Sequence, residues 1–203
     1  MESGSELLAR NIFEFWLKNL VRLLSNYDLR RLIICGDLKE SIGTPKSVEV
    51  TLLKELQHVL LQHSVEATLL KGNHDGSIES YIEFPCLDYI LLEAGGEDVI
   101  VAHGHRRLPF ENAKGAILAH MHPSIRLNGS TSFVWLFFKR TSPRRGGVVV
   151  MPPFNPFLGG GRVVGRRSPA LAQLRIPSKI WSSAVIGLNG AYYGTLDDVQ
   201  AMA

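Results

Sequence analysis

Over residues 5–25, Leu8, Ile12, Phe15 or Trp16, Leu20 and Leu23 recur every three to four positions, with Glu6, Arg10, Lys18 and Arg22 between them. That period predicts an amphipathic helix covering one face of a sheet, with its aromatic residues as core packing. At 31–35 the pattern becomes a continuous β-branched run, a buried strand that stops at Gly36-Asp37. Thr44-Pro45 announces the next helix, with Thr44 as N-cap and Pro45 at the first helical position. Val48, Leu52 or Leu53, Leu56 and Leu60 form its apolar face, as far as about residue 63. A second strand follows at 67–71. Helix, strand, helix, strand argues for a parallel sheet covered by helices.

Later segments read as hairpins. Runs at 87–92 and 98–102 flank Gly95-Gly96, and runs at 132–139 and 147–151 flank Pro143-Arg144-Arg145-Gly146. Runs at 184–188 and 191–193 flank Asn189-Gly190. A brief strand at 115–119 ends at His120, and the Pro- and Gly-rich residues 152–165 read as a long loop. With no repeat and no low-complexity linker, residues 1–203 are expected to form a single domain. Its fold class is α/β, two sheets in a sandwich with helices outside.

Composition narrows the class. A chain of 203 residues can bury a substantial core, and 45% hydrophobic with 20% charged residues is ordinary for a soluble globular protein. A formal charge of +3 favours phosphate-bearing partners only weakly. Cys35 and Cys86 make no disulfide framework. Neither a membrane span nor a signal peptide is expected, which points to a reducing, cytoplasmic setting.

Candidate chemistry sits where apolar runs stop. Asp37 follows the first strand, Asn73-His74-Asp75 the second, His103-Gly104-His105 the run at 99–102, and His120-Met121-His122 the run at 117–119. Strand ends are rigidly anchored yet open to solvent. Carboxylate with imidazole suits Mn, Fe, Zn, Co or Ni, whereas oxygens alone would suit Mg or Ca. A carboxylate can also bridge two cations. His120 and His122 would point the same way in extended backbone and diverge in a tight loop.

Gly36-Asp37, Gly72-Asn73-His74-Asp75, His103-Gly104-His105 and Ala119-His120-Met121-His122 stand in the order of the calcineurin-like metallophosphoesterase motifs, which the chain resembles. Asp37-Leu38-Lys39, His122-Pro123, Phe154-Asn155-Pro156 and 194–198 (Gly-Thr-Leu-Asp-Asp) are similar to the archaeal branch related to bacterial enzymes found alongside DNA ligase and a helicase. The resemblance implies a four-layer sandwich and hydrolysis of a phosphodiester or phosphomonoester by metal-activated hydroxide, in nucleic-acid metabolism. It implies two divalent ions, manganese first among them, with Asp37 bridging. Asn73, His103 and His120 would complete one ion's shell and His122 would serve the other. His74 would protonate the leaving oxygen, with Asp75 orienting its ring. The partners implied are a phosphate-ester substrate, nucleic acid or nucleotide included, and a DNA ligase or helicase.

Two departures accompany the resemblance. Ala119 replaces the usual Gly, which matters if that position needs positive φ. No D-x-H occurs, so the chain reads as N-terminally truncated relative to the family and lacks the usual first strand. The ion shared by Asp37 and His122 then keeps two protein ligands of an expected four. The alternative is a catalytically impaired paralogue with one metal site, acting as a binding or structural partner. A third reading, nucleic-acid binding without catalysis, would rest on Arg106-Arg107, Lys139-Arg140, Arg144-Arg145 and Arg166-Arg167.

Overall fold

The computed structural model describes residues 4–127, 129–140, 146–157, 161–162, 172 and 181–201. It resolves into two compact units, Met1–Leu87 and Asp88–Ala203. The architecture is mixed α/β with two sheets.

In the first unit the order is α1 (Gly4–Asn26), β1 (Arg31–Ile34), α2 (Ser47–Gln62), β2 (Glu66–Leu70) and β3 (Cys86–Leu87). The strands form a parallel sheet in the order β1-β2-β3, as the helix–strand alternation requires. Its core joins Phe13, Leu20 and Leu24 of α1 to Leu52, Leu56 and Leu60 of α2 and to Val65 and Ala67, with Leu32 and Ile34 of β1 packed against them. Of the expected stripe Leu20 is buried and Trp16 packs against the core, while Phe13 and Leu24 are buried beside them. Leu8, Phe15 and Leu23 are exposed. Phe13 and Trp16 meet edge to face at 4.5 Å instead, because this helix carries more apolar residues than one face can bury. Leu53 turns toward a second cluster with Leu69, Ile78 and Ile82.

Helix α2 begins later than Thr44-Pro45 predicts. Its N-cap is Lys46, and the N3 residue Glu49 accepts a hydrogen bond from the Lys46 amide at 2.7 Å. An acid at N3 satisfies a donor that the helix itself leaves open, and that fixes the start.

The second unit holds β4 (Tyr89–Ala94), β5 (Glu97–Ala102), β6 (Gly115–Leu118), β7 (Pro123–Leu127), β8 (Ser130–Arg140), β9 (Gly147–Val150), β10 (Gly161–Arg162), β11 (Trp181–Gly187) and α3 (Leu196–Ala201). They form an eight-stranded mixed sheet, β10-β7-β8-β9-β6-β5-β4, with β11 also on β8. The long strand β8 serves two neighbourhoods. Its first residues pair with β7, and its remainder lies between β9 and β11. Alternate residues face one core: Ile100 and Ala102, Ala116 and Leu118, Val134, Leu136 and Phe138, Val148 and Val150, closed by Leu196 and Val199 of α3. That is the period-two signature of strands with one buried face.

The hairpin around Gly95-Gly96 forms as expected, and β8 and β9 pair antiparallel. Their expected turn at 143–146 falls mostly outside the described residues, as does part of the 152–165 loop. After Asn189-Gly190 the returning arm is reduced to an Ile186–Tyr192 bridge. No helix among the described residues is long and apolar enough to cross a membrane.

Candidate functional site

In the first unit β1 and β2 are parallel neighbours with Ile34 opposite Leu69. The segments that follow them therefore leave the sheet side by side. Gly36 (φ +82°) and Asp37 (φ +52°) turn the chain through left-handed backbone, a conformation that Asp tolerates better than most residues. Gly72 comes so close to Asp37 that an added Cβ would lie 2.2 Å from Asp37 Oδ1 and 2.4 Å from its amide nitrogen. Only hydrogen fits there. Asn73 is exposed in the same loop. Burial pushes the Cys35 thiol up to about 12, the direction expected of a thiol in apolar surroundings.

The two loops are stitched by carboxylates. Fully buried Asp75 accepts at Oδ2 from the amides of Asp37 (2.7 Å) and Gly72 (2.8 Å), and at Oδ1 from Leu38 (2.9 Å). In return Asp37 Oδ1 accepts from the His74 amide at 3.0 Å. This corrects one expectation: Asp75 does not orient the His74 ring. Its oxygens are taken by backbone amides beyond the ends of two strands, where no ladder supplies acceptors. The ring is held instead by the Glu40 carbonyl, 2.6 Å from Nδ1. A carbonyl only accepts, so Nδ1 carries the proton and donates.

Lys39 and Glu49, both buried, shape the loop that carries that carbonyl. The Lys39 ammonium donates to the carbonyls of Ser41 and His74. Glu49 accepts from the amides of Glu40 (3.0 Å), Ser41 (2.8 Å) and Lys46 (2.7 Å) and from the Ser41 hydroxyl. Burial alone would raise the Glu49 carboxyl above its ordinary value. The bonds from Ser41, Lys46 and Glu40 together bring it below.

The second unit repeats the arrangement. Strands β5 and β6 are parallel, with Ala102 opposite Leu118, and one further bond runs from the Ala119 amide to the His103 carbonyl at 3.0 Å. His103 and His120 thus emerge beside each other, with Nε2 of His103 and Nδ1 of His120 3.0 Å apart. His105 joins them, its ring centroid 5.3 Å from that of His103 and 6.1 Å from that of His120. His120 (φ +65°) and His122 (φ +45°) are left-handed and flank a tight turn in which the Met121 amide donates to the Ala119 carbonyl at 2.7 Å. The loop is tight, not extended. The left-handed turn falls on the histidines and not on Ala119, so the missing glycine is harmless.

The imidazole pair is within hydrogen-bonding distance and is also spaced closely enough to share a divalent ion. Two nitrogens each at about 2.0–2.1 Å from a tetrahedral ion would lie roughly 3.3 Å apart, close to the separation observed. Imidazole is a ligand that borderline cations accept. Of the residues expected from sequence, then, the first unit brings together Asp37, His74 and Asp75, and the second His103 and His120. His105 was passed over in naming ligands although it stands in the same motif. Lys39 and Glu49 were missed as contributors, and only the acid three residues after Lys46 hinted at a cap.

No protein-family model matches the chain. No curated protein matches it either. Among solved structures it is similar to one described as a novel archaeal phosphodiesterase, at 14% identity and TM-score 0.39, covering 87% of this chain and 88% of that one. It is similar also to Yfce, a phosphoesterase from E. coli, at 13% identity and TM-score 0.45, covering 89% and 90%. A protein of unknown function from Aquifex aeolicus aligns at 22% identity and TM-score 0.37, over 60% of this chain and 67% of that one.

Proposed function

We propose that the chain is a metal-dependent phosphoester hydrolase acting on a phosphodiester or phosphomonoester. The observation that carries the reading is the pair of imidazole nitrogens 3.0 Å apart beyond two parallel strands. The left-handed backbone of Asp37, His120 and His122 adds support, since strained conformations gather at functional sites. The motif order assigns Asp37, Asn73, His103 and His120 to one ion and His122, with Asp37, to another. Manganese is the first candidate.

A bound divalent ion would supply Lewis acidity toward a phosphoryl oxygen and an acidified water near neutral pH. The remaining work belongs to the chain's own groups. His74 would pass a proton from Nε2 to the leaving oxygen, because Nδ1–H is committed to the Glu40 carbonyl. Asp75 would keep Asp37 and the loop of His74 in place through their backbone. The reading extends by motif resemblance to a nucleic-acid or nucleotide substrate in the cytoplasm, and to association with a DNA ligase or helicase.

The test is manganese content by elemental analysis together with bis(p-nitrophenyl) phosphate hydrolysis, for the protein and for His103→Ala and His120→Ala. Metal affinity should fall in both variants by more than the ~10–100-fold that outer-shell partners contribute, and turnover should fall with it. Unchanged metal content would refute the assignment. Metal binding without turnover of any phosphoester would favour the impaired paralogue.

A further inference from the structure

Lys39, in the segment between β1 and α2, and Glu49, in the first turn of α2, are two buried ionisable groups for which the hydrolytic reading has no role. Glu49 and the His74 ring meet at one peptide, Glu40–Ser41. The Ser41 N–H donates to Glu49 at 2.8 Å, and the Glu40 carbonyl of that same peptide lies 2.6 Å from Nδ1 of His74. In a trans peptide the N–H and C=O point in opposite directions. A carboxylate fixing the N–H on one side therefore aims the carbonyl on the other. Glu49 also takes the amides of Glu40, in the preceding peptide, and of Lys46 at the helix start, so the chain is held on both sides of this peptide. Lys39 ties the Ser41 carbonyl to that of His74 itself, locking the loop to the backbone of the histidine it serves. A negative acceptor on the amide further polarises the peptide and strengthens its carbonyl as an acceptor.

We propose that Glu49 is a positioning residue for His74: by fixing the Glu40–Ser41 peptide it selects the Nδ1–H form of the ring and leaves Nε2 as the nitrogen that exchanges a proton. Its chemical consequence rests on the hydrolase reading, but its geometry does not. Lys39 acts as the second clamp on the same loop.

The tautomer can be read directly in the full-length protein by ¹⁵N NMR of labelled histidine, at a pH where the ring is neutral. The His74 signals are assigned by their loss in His74→Gln. Glu49→Ala should move the ratio of Nδ1–H to Nε2–H forms toward Nε2–H by about tenfold, the equivalent of one hydrogen bond. Glu49→Gln keeps the volume and one oxygen, so it should move the ratio in the same direction by less, and it serves if the alanine variant does not fold. An unchanged ratio in folded variants would overturn the proposal. Activity forms a separate arm: kcat for a phenyl diester, which needs leaving-group protonation, should fall more than kcat for a p-nitrophenyl diester. If the tautomer moves while both kcat values hold, the positioning stands and the role of His74 as proton donor falls.

Discussion

Asp75→Ala would remove a fully buried carboxylate that accepts three backbone hydrogen bonds, from Asp37, Leu38 and Gly72, at 2.7–2.9 Å. A hydrogen bond to an ionised group contributes about 1.5–3 kcal/mol, and a buried amide left without an acceptor costs about 1–3 kcal/mol. Water entering the vacated volume would recover part of this. The expected destabilisation is therefore about 4 kcal/mol, at the upper end for single substitutions. Asp75→Asn keeps one oxygen, which can serve Asp37 and Gly72 as Oδ2 does. Its NH₂ then faces the Leu38 amide, donor against donor, and about 2 kcal/mol should be lost. Guanidinium denaturation of both variants gives the totals. Amide hydrogen exchange at Asp37, Leu38 and Gly72 locates them, since protection there should fall before it falls in the helices. If Asp75 served only to orient His74, the Asn variant would retain full stability and unchanged exchange. That result would refute the scaffold role.

Two further outcomes follow from contacts in the first unit. Gly72→Ala places a methyl 2.2 Å from Asp37 Oδ1, so overpacking should cost about 1–3 kcal/mol or more and displace the carboxylate; thermal denaturation and manganese titration of the variant check both effects. For Glu49, the folded carboxyl lies below its ordinary value. Its ionised form therefore stabilises the fold above the ordinary carboxylate range, and this contribution is lost as pH falls through the lowered folded value. Denaturation midpoints followed into acid should show a flatter decline for Glu49→Gln than for the unaltered protein, and identical slopes would contradict the shift.

The sheets were legible where local pattern and tertiary demand agree. The β-branched run of β1 and the Gly95-Gly96 turn are cases in point. The stripe on α1 was placed rightly at Leu20 and Trp16 but wrongly at Leu8 and Leu23, which are as apolar as the buried Phe13 and Leu24, and periodicity alone cannot choose between adjacent faces. Strand β7 was missed as an element: it begins at Pro123, and its partners, the start of β8 and the two residues of β10, lie at sites with no short-range signal. The candidate site residues stand out in the sequence because ligand types at strand ends show in the order of residues. Their supports do not. Asp75 and Glu49 act on backbone amides, which every sequence offers everywhere, and the partners are separated by up to 38 residues. Assigning Asp75 to the His74 ring was natural for neighbouring residues, but three amides compete for the same oxygens.

The left-handed backbone at Asp37, His120 and His122 carries local strain. Glycine would relax a backbone strain on the order of 1 kcal/mol at each position, but at Asp37 and His120 it would also remove the bonds to the His74 amide and the His103 ring. The same side chains that the proposed function needs at Asp37 and His120 thus also hold their loops together, so strained backbone there is retained by contacts and not only by chemistry.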